Sequence, residues 1–296
     1  MNIKNGNNIA IIYNPKAGQK GKEFLNRVVY LLEDNNLKTT FFVTKYPGNA
    51  TELAEEISQN KKYKSIIAAG GDGTINEIIN GIYGSNMPLG IIPLGTVSVL
   101  ARDIGLKLTP GAVADALIQG NIKEIYPAII NGKCFSLMAS VGVDASSVKN
   151  VNLGSKKKIS KIAYVISFLR EVLRSKFLCH SLKLNENIYK SYSTIIANGK
   201  LYAGEYVCAP EATIYDQYLY IVMLKKKGLV GLVKFFWAIF QNNTENSQQI
   251  EIVKTKKLSI FSDHAEDIQI DGEYFGQLPV TINASEKSIN RIVPVS

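Results

Sequence analysis

The stretch that most constrains this 296-residue sequence is an apolar run, Ser65-Ile66-Ile67-Ala68-Ala69, that meets a glycine-rich turn, Gly70-Gly71-Asp72-Gly73-Thr74, and continues into Ile75, Ile78, Ile79 and Ile82. The run has the length of a buried strand, and the isoleucines fall on one face of a helix. Strand, tight turn and helix in that order make half of a βαβ unit, which commits the chain to a sheet with helices packed on its faces. The glycines let the backbone come close to a bulky anion, and the first helical turn offers unpaired N–H groups with a favourable dipole. Thr74-x-x-Glu77 also has the form of a capping box, so a purely structural reading exists. The acid between glycines, followed by Thr74 and Asn76, exceeds what a turn needs. The loop is neither a Walker A nor a Rossmann fingerprint.

Around this unit the pattern alternates up to about residue 120. Strands are predicted at Ile9–Tyr13, Thr39–Val43, Ser65–Ala69 and Leu89–Ile92, and helices over 20–33, 49–58, 75–82, 97–103 and 110–119, with Gly81 or Gly84 as the stop after Ile79. Such alternation predicts an α/β domain with a parallel sheet, and ligands on such sheets bind at the carboxyl ends of strands. Asn14, Gly70 and Gly95 each follow a strand. Beyond about residue 125 the runs become short and β-branched, at 125–130, 135–141, 181–184, 192–197, 218–224 and 250–253, which reads as a mostly antiparallel β domain. An amphipathic stretch at 159–174 interrupts it. Gly228 to Phe240 is the most apolar segment, read either as core or as a lipid-entry surface.

With Lys and Arg at 34 against Asp and Glu at 25, the formal charge is +9, and a basic protein seeks anions. Lysines cluster at 156–158, 225–227 and 254–257 with few interleaved aromatics, so a base-stacking nucleic-acid surface is not expected. Cys134, Cys179 and Cys208 lack the spacing of a zinc site or a disulfide framework, which fits a reducing cytoplasm. His180 and His264 are the only histidines and no Gly-x-Ser-x-Gly elbow occurs, so histidine-based nucleophilic catalysis is poorly supported. No signal peptide or spanning segment is expected.

Gly70-Gly71-Asp72-Gly73-Thr74-Ile75-Asn76-Glu77 resembles the signature of the diacylglycerol kinase catalytic domain, a family that includes bacterial soluble lipid kinases, sphingosine kinases and ceramide kinases. Asn14-Pro15-Lys16-Ala17-Gly18, Pro93-Leu94-Gly95-Thr96 and Asp271-Gly272-Glu273 match in the same order, so the resemblance covers nearly the whole chain. It implies ATP and Mg²⁺ as cofactors and a membrane lipid such as diacylglycerol as acceptor. Domains are then expected at 1–125, with 285–296 returning to that sheet, and at 126–284, the second a β-sandwich. Within the resemblance Asn14, Pro15, Lys16, Ala17, Gly18, Thr44, the loop from Gly70 through Ile75 and Asn76, and Thr96 would contact the nucleotide. Asp72 would serve both phosphates and metal, Glu273 would be the general base, and Thr213, Asp216 and Tyr218 would form a structural Mg²⁺ loop.

Three positions depart from the family pattern. The usual Asp-Gly of the metal loop is Asp216-Gln217, and two family aspartates correspond to Val99 and Tyr126. Losing two acids together points to a subgroup with a different magnesium–water network or acceptor, and leaves a degenerate kinase or sensor as an alternative. A soluble NAD-type kinase shares Gly-Gly-Asp-Gly-Thr but lacks the other motifs. The expected setting is cytoplasmic, peripheral to an anionic inner leaflet, with a homodimer compatible.

Overall fold

The computed structural model describes residues 7–143, 145 and 177–295. The lysine run at 156–158 and the amphipathic stretch at 159–174 lie outside the described residues. The chain divides into two compact units, residues 1–127 with 285–296, and residues 128–284.

The first unit holds β1 (Asn8–Tyr13), β2 (Lys38–Val43), β3 (Ser65–Gly70), β4 (Leu89–Pro93) and β5 (Asn121–Ile125). The C-terminal strand Ile289–Val293 inserts between β4 and β5, giving the order β2-β1-β3-β4-C-terminal strand-β5. All neighbours run parallel except β5, which is antiparallel to the C-terminal strand. Every residue of β3 and β4 is buried, as expected of central strands covered on both faces. The covering helices are α1 (Gly18–Asp34), α2 (Asn49–Gln59), α3 (Asp72–Ile82), the short α4 (Val99–Asp103) and α5 (Pro110–Gln119). Helix α1 packs on α5, and α2 on α3. Gly81 does not stop α3. It lies inside the helix where a Cβ would fall 2.3 Å from the Thr51 carbonyl of α2, and the left-handed turn comes at Gly84.

The second unit is a sandwich of two antiparallel sheets. One orders Asn187–Ser191, His180–Leu184, Lys257–Phe261, Val280–Ala284, Ala128–Ile130 and Lys133–Phe135. The other orders Ile250–Thr255, Leu219–Leu224, Thr194–Ala197, Met138–Val141, Asp267–Ile270 and Glu273–Gln277. The predicted strand at 125–130 is therefore two strands in different units, broken at Pro127. Alternation along Leu219–Leu224 shows how the core is divided. Leu219, Ile221 and Met223 join Leu182, Leu258 and Ile282 between the sheets. Tyr220, Val222 and Leu224 face the other way, against helix α6 (Leu229–Phe240). Phe235 and Phe236 of α6 are buried there, so these two belong to the core and not to a lipid-entry surface.

Candidate active site

The turns after β1, β3 and β4 meet at one end of the first sheet, because those strands are neighbours. Asn14 joins the first two. Its main-chain N–H donates to Ala69 O at 3.0 Å, its Oδ1 accepts from Lys16 N at 3.0 Å, and its Nδ2 donates to Thr74 Oγ1 at 3.0 Å. Thr74 folds back over the glycine pair, and a Cβ on Gly70 would fall 2.7 Å from the Thr74 Cβ. The third turn stacks on the second: a Cβ on Gly95 would fall 2.9 Å from the Gly71 Cα. The glycines at 70 and 95 are thus required by packing between the turns.

Thr74 and Glu77 do not form a capping box. Helix α3 begins at Asp72 after Gly71, Thr74 accepts from Asn14, and Glu77 Oε2 accepts from Ala50 N at 3.1 Å, capping α2 instead. Sequence reading missed this role, since nothing local links residue 77 to residue 50.

Asp72 also has a partner that the sequence did not suggest. Its Oδ2 accepts from Val99 N and its Oδ1 from Leu100 N, each at 3.1 Å, so it caps α4 from 27 residues away. Ser98, which precedes α4 in the left-handed region, donates instead to Gly95 O at 3.1 Å. Val99, where the family carries an aspartate, therefore contributes its main-chain N–H to the Asp72 carboxylate. Each carboxylate oxygen keeps a second lone pair for another donor or a cation. Mg²⁺ takes one or two carboxylates together with phosphate oxygens, and Asp72 fits that requirement. Gly71, before α3, supplies no side-chain cap, so the N–H groups of the first turn of α3 face this end of the sheet with their dipole, whereas α1 continues from the 3₁₀ turn Pro15–Ala17, which Asn14 caps through Lys16 N.

Of the other expected nucleotide contacts, Pro15, Lys16 and Ala17 form a single 3₁₀ turn leading to Gly18, with Lys16 exposed. Gly73 and Ile75 lie in the first turns of α3, Ile75 buried and Asn76 half-buried. Thr44 follows β2, its N–H donating to Tyr13 O at 2.9 Å, and Thr96 is exposed beside Gly95. Tyr126 directs its hydroxyl to Glu124 Oε2 at 3.3 Å, and burial first, then the Glu124 charge, raises its pKa.

In the second unit Asp216 follows a turn in which its N–H donates to Thr213 O at 3.4 Å, and its Oδ1 accepts from Tyr218 N at 3.2 Å. Its other oxygen, Oδ2, lies 3.4 Å from Lys254 Nζ. That ammonium sits 4.2 Å from the centre of the Tyr218 ring and 5.2 Å from that of Tyr220. A hydrogen bond with Tyr220, then the Asp216 charge, raises the Lys254 pKa above its ordinary 10.5. The three expected ligands are together, but the carboxylate already faces a cation. As arranged, the donor set does not fit a resident Mg²⁺, and no chemistry is derived from one.

Asp271-Gly272 is the turn of the hairpin joining Asp267–Ile270 to Glu273–Gln277, with both residues at positive φ. Such a turn matches the twist of the flanking strands. Asp271 does more than turn: its carboxylate accepts from Ser136 N, Leu137 N and Met138 N at 2.8–3.0 Å. Gly272 N donates to Gln269 Oε1 at 2.8 Å. Glu273 is the next residue, exposed at the start of its strand on a turn fixed from both sides.

The model for the diacylglycerol kinase catalytic domain matches residues 8–128, and that for the YegS C-terminal NAD kinase beta sandwich-like domain matches residues 138–294. A diacylglycerol kinase of Staphylococcus saprophyticus is 29% identical over 91% of this chain and 90% of its own. One of Staphylococcus epidermidis is 28% identical over 96% and 91%. The crystal structure of a candidate diacylglycerol kinase from Bacillus anthracis superposes with a TM-score of 0.78, at 25% identity, over 97% of both chains.

Proposed function

Since the chain belongs to the diacylglycerol kinase catalytic domain family, with its β-sandwich partner domain, we propose that this kinase transfers the γ-phosphoryl group of ATP to the hydroxyl of a membrane lipid such as diacylglycerol. The observation that supports this most is the junction of three strand–helix turns around Asp72, with the first turn of α3 free of a side-chain cap. Phosphoryl transfer asks the protein mainly for positioning and charge neutralisation. The turn at Asn14–Gly18 and the N–H groups of Gly71–Thr74, with Lys16 and Lys20 nearby in sequence, suit the phosphates of a nucleotide. Asn14 fixes the distance between these two turns. Asp72 would hold Mg²⁺ together with the phosphates, and the ion when bound supplies neutralisation of the transferring group. Thr44 and Thr96 would contact the nucleotide from the ends of β2 and β4.

Glu273 would take the proton of the acceptor hydroxyl as the new O–P bond forms and the bond from Pγ to the leaving ADP oxygen breaks. Val99 and Tyr126 remove two acids from the family's network, whereas Asp72 and Glu273 remain. That combination favours an altered metal–water network or acceptor over loss of catalysis. The enzyme would work at the cytoplasmic face of the membrane, and no helix among the described residues is long and apolar enough to cross one. Radiolabelled ATP with a total lipid extract, and NAD in a parallel reaction, is the deciding experiment. A labelled lipid is expected. Label in NADP alone, or in nothing, would overturn the proposal.

A further inference from the structure

Helix α6 is apolar on both of its faces, but only one face is covered. At 3.6 residues per turn, Leu232, Phe235, Phe236 and Ile239 fall on the side packed against the sheet. Leu229, Val230, Val233, Trp237 and Phe240 fall together on an adjacent side that the sheet leaves open, with Val230 69%, Val233 53% and Trp237 63% exposed. Tyr206 extends this face, its ring 4.8 Å from that of Phe240 in an edge-to-face contact. A helix that is apolar all round is normally buried or in contact with lipid, and a solvated surface would carry polar residues here.

The charges around the face indicate what covers it. Lys225, Lys226 and Lys227 lead directly into α6 and are exposed, and Gly231 allows the Lys226 carbonyl to lie where a Cβ would be only 2.7 Å from it. Lysines at a helix N-terminus oppose its dipole, and no acid lies in the first turn of α6. The run therefore works against the helix unless an anion is nearby. Lys234 lies at the edge of the apolar face, beside an open depression of about 310 Å³ lined by Trp237, Gln241, Asn243, Gln248 and Gln249. Between residues 225 and 249 there are four lysines against one acid, Glu245.

We propose that α6 is an interfacial helix that docks on an anionic phospholipid surface, placing Val230, Val233, Trp237 and Phe240 at the acyl boundary and Lys225–Lys227 and Lys234 among the headgroups. An exposed apolar stripe flanked by lysines is the pattern of helices that lie in the plane of a bilayer. Trp237 belongs at such a boundary, where one side of its ring is apolar and the other wet. The depression beside Lys234 would receive a headgroup, with amides as hydrogen-bonding partners. The inference rests on the lipid-kinase reading only for the reason such a surface is needed.

Trp237 is the single tryptophan, so its fluorescence reports this face alone. The full chain is mixed with vesicles of phosphatidylglycerol and phosphatidylcholine, with some acyl chains brominated. A blue shift and quenching of Trp237 emission are expected, weakened by salt, and much smaller with phosphatidylcholine alone. Replacing Lys225, Lys226 and Lys227 together by Gln should lower vesicle affinity by roughly 10²-fold, because each such charge contributes about fivefold near an anionic surface. Val230→Asp with Val233→Asp should abolish the shift without lowering the melting temperature, both positions being exposed. An unchanged emission with anionic vesicles would overturn the proposal. So would a shift that needs no vesicles and follows protein concentration, which would mean a second copy covers the face. Turnover of a short-chain diacylglycerol in detergent is measured alongside. Docking without any lipid phosphorylation would remove the kinase reading and leave the surface, and turnover without docking would do the reverse.

Discussion

Two aspartates, one in each unit and each expected from the sequence to meet a metal, are satisfied by different groups. Asp72 is held by main-chain N–H groups of Val99 and Leu100, which are dipoles and leave its negative charge intact. Asp216 faces the Lys254 ammonium, with two tyrosine rings packed around it. A carboxylate bonded by N–H groups still attracts a cation, whereas one facing an ammonium has its charge matched by the protein. An acid in a motif therefore announces a charge without saying what will balance it. If the charge left unmatched is the one used, the first turn is the place for chemistry and the second for structure, and the variants below test that division.

The largest test of this contrast is Asp72→Asn. We expect phosphoryl transfer to be lost, and stability to fall by about 1–3 kcal/mol, because an amide can accept from only one of the two N–H groups and leaves the other without its acceptor. Activity near wild type would place Asp72 with Asp216 as a structural acid. Glu273→Gln is the next largest, with turnover lowered by roughly 10²- to 10⁴-fold and nucleotide affinity unchanged. Melting by calorimetry separates this from a turn defect, since Asp271 and Gly272 make bonds that fix the hairpin turn. Gly95→Ala is smaller. Its methyl would meet the Gly71 Cα and push two turns apart, and a loss of ATP affinity of about tenfold is expected by titration calorimetry. Unaltered affinity would show that the spacing of these turns does not matter to the ligand.

The strands and helices of the first unit were legible because their apolar periods are long and their ends are marked by glycine, asparagine or proline. Helix α5, predicted at 110–119, is observed at Pro110–Gln119 with Thr109 Oγ1 accepting from Ala112 N as its cap. β5 was not legible, since only Ile125 of its five residues is buried, and the strand exists because the distant segment Ile289–Val293 pairs with it. The second unit was legible as a class and not in detail, as short strands of either face share one composition. In the candidate site, sequence supplied the residue types. It did not supply Asn14 to Thr74, Asp72 to α4, Glu77 to α2 or Lys254 to Asp216, which join turns 27 to 60 residues apart. The two faces of α6 were likewise invisible, because both are written in the same apolar residues, and only the position of the sheet tells which is covered.

The smallest predicted effect is the one that most directly sharpens the contrast between the two aspartates. Lys254→Met removes the ammonium from Asp216 and keeps the length of the side chain against Tyr218 and Tyr220. Turnover should change little, with a modest fall in melting temperature, since the pair is partly exposed and screened by solvent. The effect should depend on pH in a defined direction. The Lys254 pKa is raised in the folded protein above 10.5, so its contribution is complete below that value and is lost as pH rises through the higher folded value. The difference in melting temperature between wild type and Lys254→Met should therefore be constant from neutral pH to about 10 and shrink above it. Cys134, whose thiol burial pushes up to about 12, destabilises both proteins in the same alkaline range and cancels in the difference. With its ammonium removed, Asp216 is an uncompensated charge beside the Thr213 carbonyl, and millimolar Mg²⁺ should then raise the melting temperature of the variant more than that of the wild type. Equal responses to Mg²⁺ would show that the lysine does not stand where an ion would bind. A wild-type response as large as that of the variant, abolished by Asp216→Asn in both, would return the metal to this turn and remove the distinction from Asp72.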